Sequence, residues 1–288
     1  MSDIVVSKKD EVHIVVQPKD SGIIMELSEF FTFYVPGYKF VPSYRNKLWD
    51  GKIRLYNTRD YTLPSGLLYH LLKFTESRGY SIENQIKGNT SRTLGEGMLD
   101  SIPLTSGGAE IVLRDYQKSA IEHAIQYQKT LLLSPTGSGK SLMIYMLLRW
   151  FLETSYKKAL IVVPTTSLVE QLWKDFGDYS SNDVNFNNDE VHRIYAGKEK
   201  ESFEQRIVIT TWQSVFKLPK KWFKDYEMVV GDEAHLFKAK SLTTIMGHLH
   251  NAWLRVGTTG TLDGTKVHKL VLEGCFGPVH NVTSTKKL

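Results

Sequence analysis

Residues 131–141, LLLSPTGSGKS, constrain this chain more than any other stretch. The apolar run Leu131, Leu132 and Leu133 reads as a buried parallel strand, and residues 141–153, SLMIYMLLRWFLE, have the periodicity of a buried helix. Between them stand Pro135, Thr136, Gly137, Ser138, Gly139, Lys140 and Ser141. Strand, glycine loop and helix start, in that order, are the context a phosphate-binding loop requires. The glycines let successive backbone N–H groups turn toward phosphate oxygens, and the helix N-terminus adds partial positive charge. In such a loop Lys140 reaches the β- and γ-phosphates and the Ser141 hydroxyl ligates Mg²⁺. Ser134 stands where the strict pattern has glycine.

Bulk properties narrow the class without choosing a function. The 288 residues suffice for one large domain or two modest ones. A 41% hydrophobic and 23% charged composition is that of an ordinary globular chain, and a net charge of +5 leans toward an anionic partner. Cys275 is the only cysteine, which excludes an intrachain disulfide and a cysteine-rich metal site. Neither a membrane-spanning run nor a secretory signal is visible, so the expectation is a soluble intracellular protein without a membrane partner. The sequons at Asn89 and Asn281 are accordingly read as chance matches.

The first 100 residues mix strand and helix without regular alternation. Residues 11–16 read as a strand and residues 66–80 as an amphipathic helix ended by Gly79. Asp50-Gly51 lies between two strand-like runs and predicts a hairpin. On its second strand Lys52, Arg54 and Tyr56 would share one face, with Lys47 and Trp49 nearby. Basic side chains interleaved with aromatics suit phosphates and exposed bases. They suit equally a solvated basic face over an aromatic core, and this segment alone does not separate the two. Residues 84–108, rich in Gly, Ser, Thr and Asn, read as a linker.

From Ile111 onward strands and helices alternate, which predicts an α/β fold with a parallel sheet. A helix is expected over 113–128, with strands over 159–163, 206–210, 227–231 and 254–261, and Thr166 or Ser167 as an N-cap. Each strand ends in a short polar motif, where ligands of open α/β sheets collect. Asp232 and Glu233 follow one such strand. A carboxylate there can hold Mg²⁺, and its neighbour can orient an attacking water.

The ordered set LRDYQ, SPTGSGKS, VPTTSLVEQ, ITTWQS, DEAH and TTGT resembles the first RecA-like lobe of DEAH-box-type superfamily 2 helicases over about residues 111–277. The resemblance implies ATP and Mg²⁺ as cofactors, with Arg114, Tyr116 and Gln117 at the adenine and Ser141 and Asp232 at the metal. It gives catalytic roles to Lys140, Asp232, Glu233 and His235. Pro164, Thr165, Thr166, Thr210, Thr211 and Gln213 would grip a nucleic-acid backbone, and Thr259, Gly260 and Thr261 would couple hydrolysis to movement. Residues 39–57 and 63–74 resemble the small N-terminal domain of the UvsW helicase family of T-even-type bacteriophages. That likeness favours DNA contact by Lys47, Trp49, Lys52 and Arg54. It also implies branched or duplex DNA, or RNA–DNA hybrids, as substrates in recombination and repair, in a host cytoplasm.

The expected architecture is therefore a small α+β domain over 1–100 followed by a P-loop NTPase lobe over 109–288. No motif of a second RecA-like lobe occurs, so the chain is expected to be half of a motor that meets the other lobe in cis or in trans: a fragment, a split-gene product or one subunit of two. A restriction-type motor shares the motifs but would need a nuclease or methylase partner. A nucleic-acid-binding module without turnover is the remaining alternative, and intact Lys140, Asp232 and Glu233 speak against it.

Overall fold

The computed structural model describes residues 2–86, 94–95, 97–195, 205–237, 239–262 and 266–284. Asn89 and part of the expected linker lie outside them. Two sheets organise the described residues.

The first is mixed, in the order β5-β2-β1-β6. β1 (Ile4–Lys8) and β2 (His13–Pro18) are antiparallel, α1 (Ser21–Phe30) follows, and β3 (Thr32–Tyr34) leads into an excursion holding α2 (Pro42–Arg45). The excursion returns as β4 (Lys52–Arg54), after which come β5 (Thr62–Pro64), α3 (Leu68–Arg78) and β6 (Ile82–Asn84). Alternate residues Ile4, Val6, Ile14 and Val16 face Ile23 and Leu27 of α1 and Leu71 and Phe74 of α3, giving a period-two strand pattern over two helix stripes. Gly79 ends α3 in the left-handed conformation, as its position predicts.

The hairpin expectation at Asp50-Gly51 fails. β4 pairs with β3, Tyr34 opposite Lys52, so residues 35–51 form a long connection and Asp50-Gly51 only opens β4. The Asp50 carboxylate accepts from Lys52 N, an Asx turn that satisfies the local signal without a two-residue hairpin. Tyr56 does not share a face with Lys52 and Arg54: β4 has ended, and the Tyr56 ring is buried with its hydroxyl donating to Val16 O.

Part of the expected linker is also built. α4 (Met98–Ser101) and the small hairpin β7 (Thr105–Ser106) with β8 (Ala109–Glu110) bring Leu99, Ile102 and Leu104 into the core of the larger unit. Three apolar residues suffice to dock a segment whose composition reads as loop.

The second sheet is parallel throughout, in the order β11-β12-β10-β13-β14-β9-β15. After α5 (Asp115–Tyr127) the chain enters β9 (Lys129–Leu133), α6 (Lys140–Thr154), β10 (Lys158–Val163) and α7 (Thr166–Tyr179). β11 (Val191–Ile194), β12 (Ile207–Thr211), α8 (Trp212–Val215) and β13 (Tyr226–Gly231) follow. α9 (Ala239–His248), β14 (Leu254–Thr259), α10 (Lys266–Phe276) and β15 (Val279–Asn281) complete it. α5, α6 and α7 cover one face and α9 and α10 the other, so the strands are buried on both sides and read as continuous apolar runs. No helix among the described residues is long and apolar enough to cross a membrane.

The sheet order decides what the strand tips can do. β13, β14 and β9 are neighbours, which places DEAH, TTGT and the glycine loop side by side. β10 and β12 are also neighbours, which places Thr165 and Gln213 together. The carboxyl edge thus carries two adjacent centres.

The two units dock closely. A Cβ on Gly66 would lie 2.0 Å from Glu273 O, so α10 approaches this backbone closer than any side chain permits. His70 Nε2 lies 2.9 Å from Glu273 Oε2, and His250 Nδ1 lies 2.9 Å from Asp10 Oδ2. At the start of β9, Lys129 donates to Glu11 O and Ser65 Oγ and sits 3.1 Å from Glu11 Oε2. Burial pushes its pKa down to about 8, against the pull of Glu11. Replacing Lys129 with Ala leaves the largely buried Glu11 carboxylate with Lys8 as its charged partner and removes the bonds that Lys129 makes to Glu11 O and Ser65 Oγ. Fully buried pairs broken on one side cost roughly 3–5 kcal/mol, and with partial exposure we expect about 2–3 kcal/mol. Urea unfolding followed by tryptophan fluorescence measures this, and a loss below about 0.5 kcal/mol, the surface-substitution range, contradicts it.

Candidate functional site

The glycine loop is held in shape by its own chain. Ser134, fully buried, donates its backbone N–H to Thr259 O and its hydroxyl to Ser138 Oγ. The residue that departs from the glycine pattern therefore pins the loop to the neighbouring strand tip. Gly137 and Gly139 both have left-handed φ, +83° and +80°. Gly139 has a second constraint: a Cβ there would lie 2.3 Å from Gln117 Nε2.

Gln117 is buried, and its amide bridges two elements. Its Oε1 accepts from Arg114 N, capping α5, and its Nε2 donates to Ser138 O. The Tyr116 hydroxyl donates to the same carbonyl and is itself joined by Arg114. Arg114, Tyr116 and Gln117, singled out for a base, thus also brace the phosphate loop. A glutamine amide has four hydrogen-bonding valences, and two remain.

Lys140 opens α6 with its side chain 11% exposed, its Nζ 3.1 Å from Glu233 Oε1 and 3.4 Å from Ser134 O. Glu233 has φ +48°, a left-handed conformation that is costly for a residue with a Cβ and turns the chain sharply after β13. Its second oxygen lies 3.5 Å from His235 Nδ1. His235 Nδ1 is 2.7 Å from Thr259 Oγ1, and the single Thr259 proton goes to Thr261 O, so the imidazole nitrogen donates to the hydroxyl. A contiguous path therefore runs from Lys140 through Glu233, His235 and Thr259 to Thr261. Gly260 lies against it, where an added Cβ would be 3.7 Å from Lys140 Nζ.

Asp232 is 6% exposed, and burial raises its pKa above the usual carboxylate range. Thr258 Oγ1 and Glu233 N both donate to its Oδ1, which leaves Oδ2 without a hydrogen bond among the described residues. Ser141, the other residue expected at a metal, has its hydroxyl 2.8 Å from the Tyr179 hydroxyl on α7. Tyr179 carries no motif signal, and an aromatic at the end of an amphipathic helix reads as core, so the sequence passes over it.

The second centre lies on the β10 and β12 tips. Thr165 and Thr166 are exposed, and Thr165, rather than Thr166 or Ser167, caps α7 by accepting from Leu168 N. Exposed Gln213 donates to buried Pro164 O, 3.2 Å away, tying the two tips. Thr210 is fully buried with its hydroxyl on Thr211 O, and Thr211 is 5% exposed and bonded to Ser214. Of the residues expected to grip a backbone, those facing solvent are thus Thr165, Thr166 and Gln213.

In the N-terminal unit, Lys52 lies over the Tyr34 ring at 4.8 Å and Arg54 is paired with Asp50. Trp49 Nε1 donates to Lys52 O. Arg45, Lys47, Leu48 and Trp49 line an open concavity of about 620 Å³, with Leu48 81% exposed.

Residues 3–85 match the family described as "DNA helicase UvsW, N-terminal", and residues 110–264 the family described as "Type III restriction enzyme, res subunit". The chain is 35% identical over 295 residues to the ATP-dependent DNA helicase uvsW of Enterobacteria phage T4, covering 99% of this chain and 57% of that protein. It is 24% identical over 228 residues to the DNA 3'-5' translocase XPB2 of Sulfurisphaera tokodaii, covering 79% and 43% respectively. The chain thus spans about half the length of the curated relatives it matches. A crystal structure of the UvsW helicase from bacteriophage T4 superposes with a TM-score of 0.85 at 32% identity, covering 97% of this chain and 99% of that one.

Proposed function

The chain belongs to the UvsW-like family of superfamily 2 helicases, and from that premise we propose that it carries the ATP-binding half of a motor that moves on DNA. The observation that carries this reading is the unbroken side-chain path from Lys140 to Thr261 across three adjacent strand tips, beside a second, exposed pair of tips.

ATP would bind with its phosphates over the glycine loop, where N–H groups at the start of α6 have no intrahelical partner. Arg114, Tyr116 and Gln117 would meet the adenine, Gln117 through its two remaining valences. Mg²⁺ fits the donors present: a buried carboxylate with a free oxygen, Asp232, and a hydroxyl, Ser141, both hard oxygen ligands. When bound, the ion would neutralise charge on the phosphates. Lys140 would leave Glu233 for the γ-phosphate, freeing Glu233 to take the proton of the attacking water. His235 and Thr259 would register that change and pass it, with Gly260 and Thr261, to the strand-tip edge. Arginines from a second RecA-like lobe, implied by the family resemblance, would add roughly 10³–10⁵ in rate.

Thr165, Thr166 and Gln213 would hold one strand of DNA, and the N-terminal unit would meet duplex or forked DNA through Lys47, Trp49, Lys52 and Arg54. Branched DNA and RNA–DNA hybrids in recombination and repair, in a host cytoplasm, are the substrates and setting that fit this family. Division into a domain over 1–100 and a lobe over 109–288 follows the two sheets, except that Leu99 packs in the core of the larger unit. The experiment is a salt titration of binding to unrelated duplexes. Replacing Lys47, Lys52 and Arg54 together with Ala is expected to weaken binding to all of them. It should also flatten the slope of log K against log salt by about 2, since each phosphate contact contributes about 0.9 and Arg54 is partly committed to Asp50. An unchanged slope assigns these residues to a solvated surface.

A further inference from the structure

α7 has its two ends at two different centres. Its N-cap, Thr165, stands on the exposed β10 tip, while its last residue, Tyr179, holds the Ser141 hydroxyl at 2.8 Å. Fourteen residues separate the ends by roughly 20 Å of helix. Asp175, one turn before Tyr179, faces the same hydroxyl.

The helix between these ends is packed along its length. Val169, Leu172 and Phe176 are buried in the core, and the Phe176 ring packs 5.6 Å from that of Tyr145, one turn into α6 from Ser141. Its C-terminal end is strapped to the segment that leads into α5. Thr105 Oγ1 donates to Asp178 O and lies 2.7 Å from Ser181 Oγ, and Gly107 N donates to the Asp178 carboxylate. Packed side chains thus connect the Thr165 end of the helix to the Tyr179 end.

The Ser141 hydroxyl is the link to chemistry. Asp232, the carboxylate beside which it would share a cation, instead receives the Thr258 hydroxyl and Glu233 N. Among the described residues the Ser141 hydroxyl is thus bonded to α7 and not to Asp232. Resting on the nucleotide and nucleic-acid reading above, we propose that Tyr179 is a positioning residue that holds the Ser141 hydroxyl in reserve. Exchange of that hydrogen bond for a divalent cation couples nucleotide binding at one end of α7 to a DNA backbone at the other. By linkage the coupling is reciprocal: a strand on Thr165 and Thr166 lowers the Mg²⁺ requirement of the nucleotide site, and Mg²⁺–nucleotide tightens the grip on the strand.

The test is a Mg²⁺ titration of a fluorescent ATP analogue bound to the full chain, with and without single-stranded oligo-dT. In the wild type, oligo-dT shifts the Mg²⁺ midpoint to lower concentration. Tyr179→Phe, which removes one hydroxyl and keeps the ring, lowers the midpoint without DNA by about 2- to 10-fold, the worth of one ordinary hydrogen bond. It also abolishes the oligo-dT shift. Asp175→Asn, which alters the same hydroxyl from its other neighbour, moves the midpoint without touching the tyrosine ring. Thermal melting confirms that both variants fold. A Tyr179→Phe midpoint equal to wild type, or an oligo-dT shift that survives it, overturns the coupling while leaving the nucleotide site standing. Absence of analogue binding to the wild type overturns both.

Discussion

Glu233→Gln is expected to stop ATP turnover and leave the nucleotide bound. Glutamine keeps the size of the side chain, and its carbonyl oxygen can still face the Lys140 ammonium 3.1 Å away. What it loses is the capacity to accept a proton from water. General-base catalysis is worth about 10²–10⁴-fold, and that is the expected fall in single-turnover phosphate release with protein in excess. Nucleotide affinity should hold or rise, because Lys140 loses the charged competitor that restrains it in the free chain. Phosphate release at the wild-type rate in this variant would remove Glu233 from the chemistry and leave it as an ion-pair partner.

Lys140→Ala should act on the other half of the cycle. The ammonium sits nearly enclosed between Glu233 and Ser134 O, already inside the cradle formed by the loop and the β14 tip. On the proposed reading it leaves Glu233 for a phosphate. Hydrogen bonds to charged groups contribute about 1.5–3 kcal/mol each, so losing even one costs about 10- to 100-fold in Mg²⁺–ATP affinity. Calorimetric titration measures this. Unchanged affinity would mean that the loop binds phosphate through backbone N–H groups alone.

The motifs that meet at the candidate site were legible in the sequence because each is local. A short apolar run followed by a glycine loop or two carboxylates specifies both the strand and what stands at its tip. Their adjacency was legible only through the family resemblance, not from the residues themselves. Nothing near Asp232 says that β13 lies beside β14 and β14 beside β9, since that order is set by crossovers spanning many residues. The same limit explains the failed hairpin. Asp50-Gly51 is a real turn signal, but the partner of β4 lies upstream of a 17-residue connection, and pairing is decided there.

Arg255 is a further case. Nothing in the strand pattern singles it out, yet it is 1% exposed and donates to the carbonyls of Cys275, Leu249 and Met246. It thereby pins α9 and α10 under the strand that carries Thr258 and Thr259. Side-chain bonds to distant backbone carbonyls leave no periodic trace. Tyr179 escaped for a related reason, since only the course of α7 and the chain after it brings it beside Ser141.

The most direct test of the central claim is equilibrium titration of the wild-type chain with a fluorescent ATP analogue, once with saturating Mg²⁺ and once with EDTA. The account predicts one saturable site per chain that ATP competes for and that weakens markedly in EDTA. A chain that binds no analogue, or binds it equally well without the metal, would contradict it.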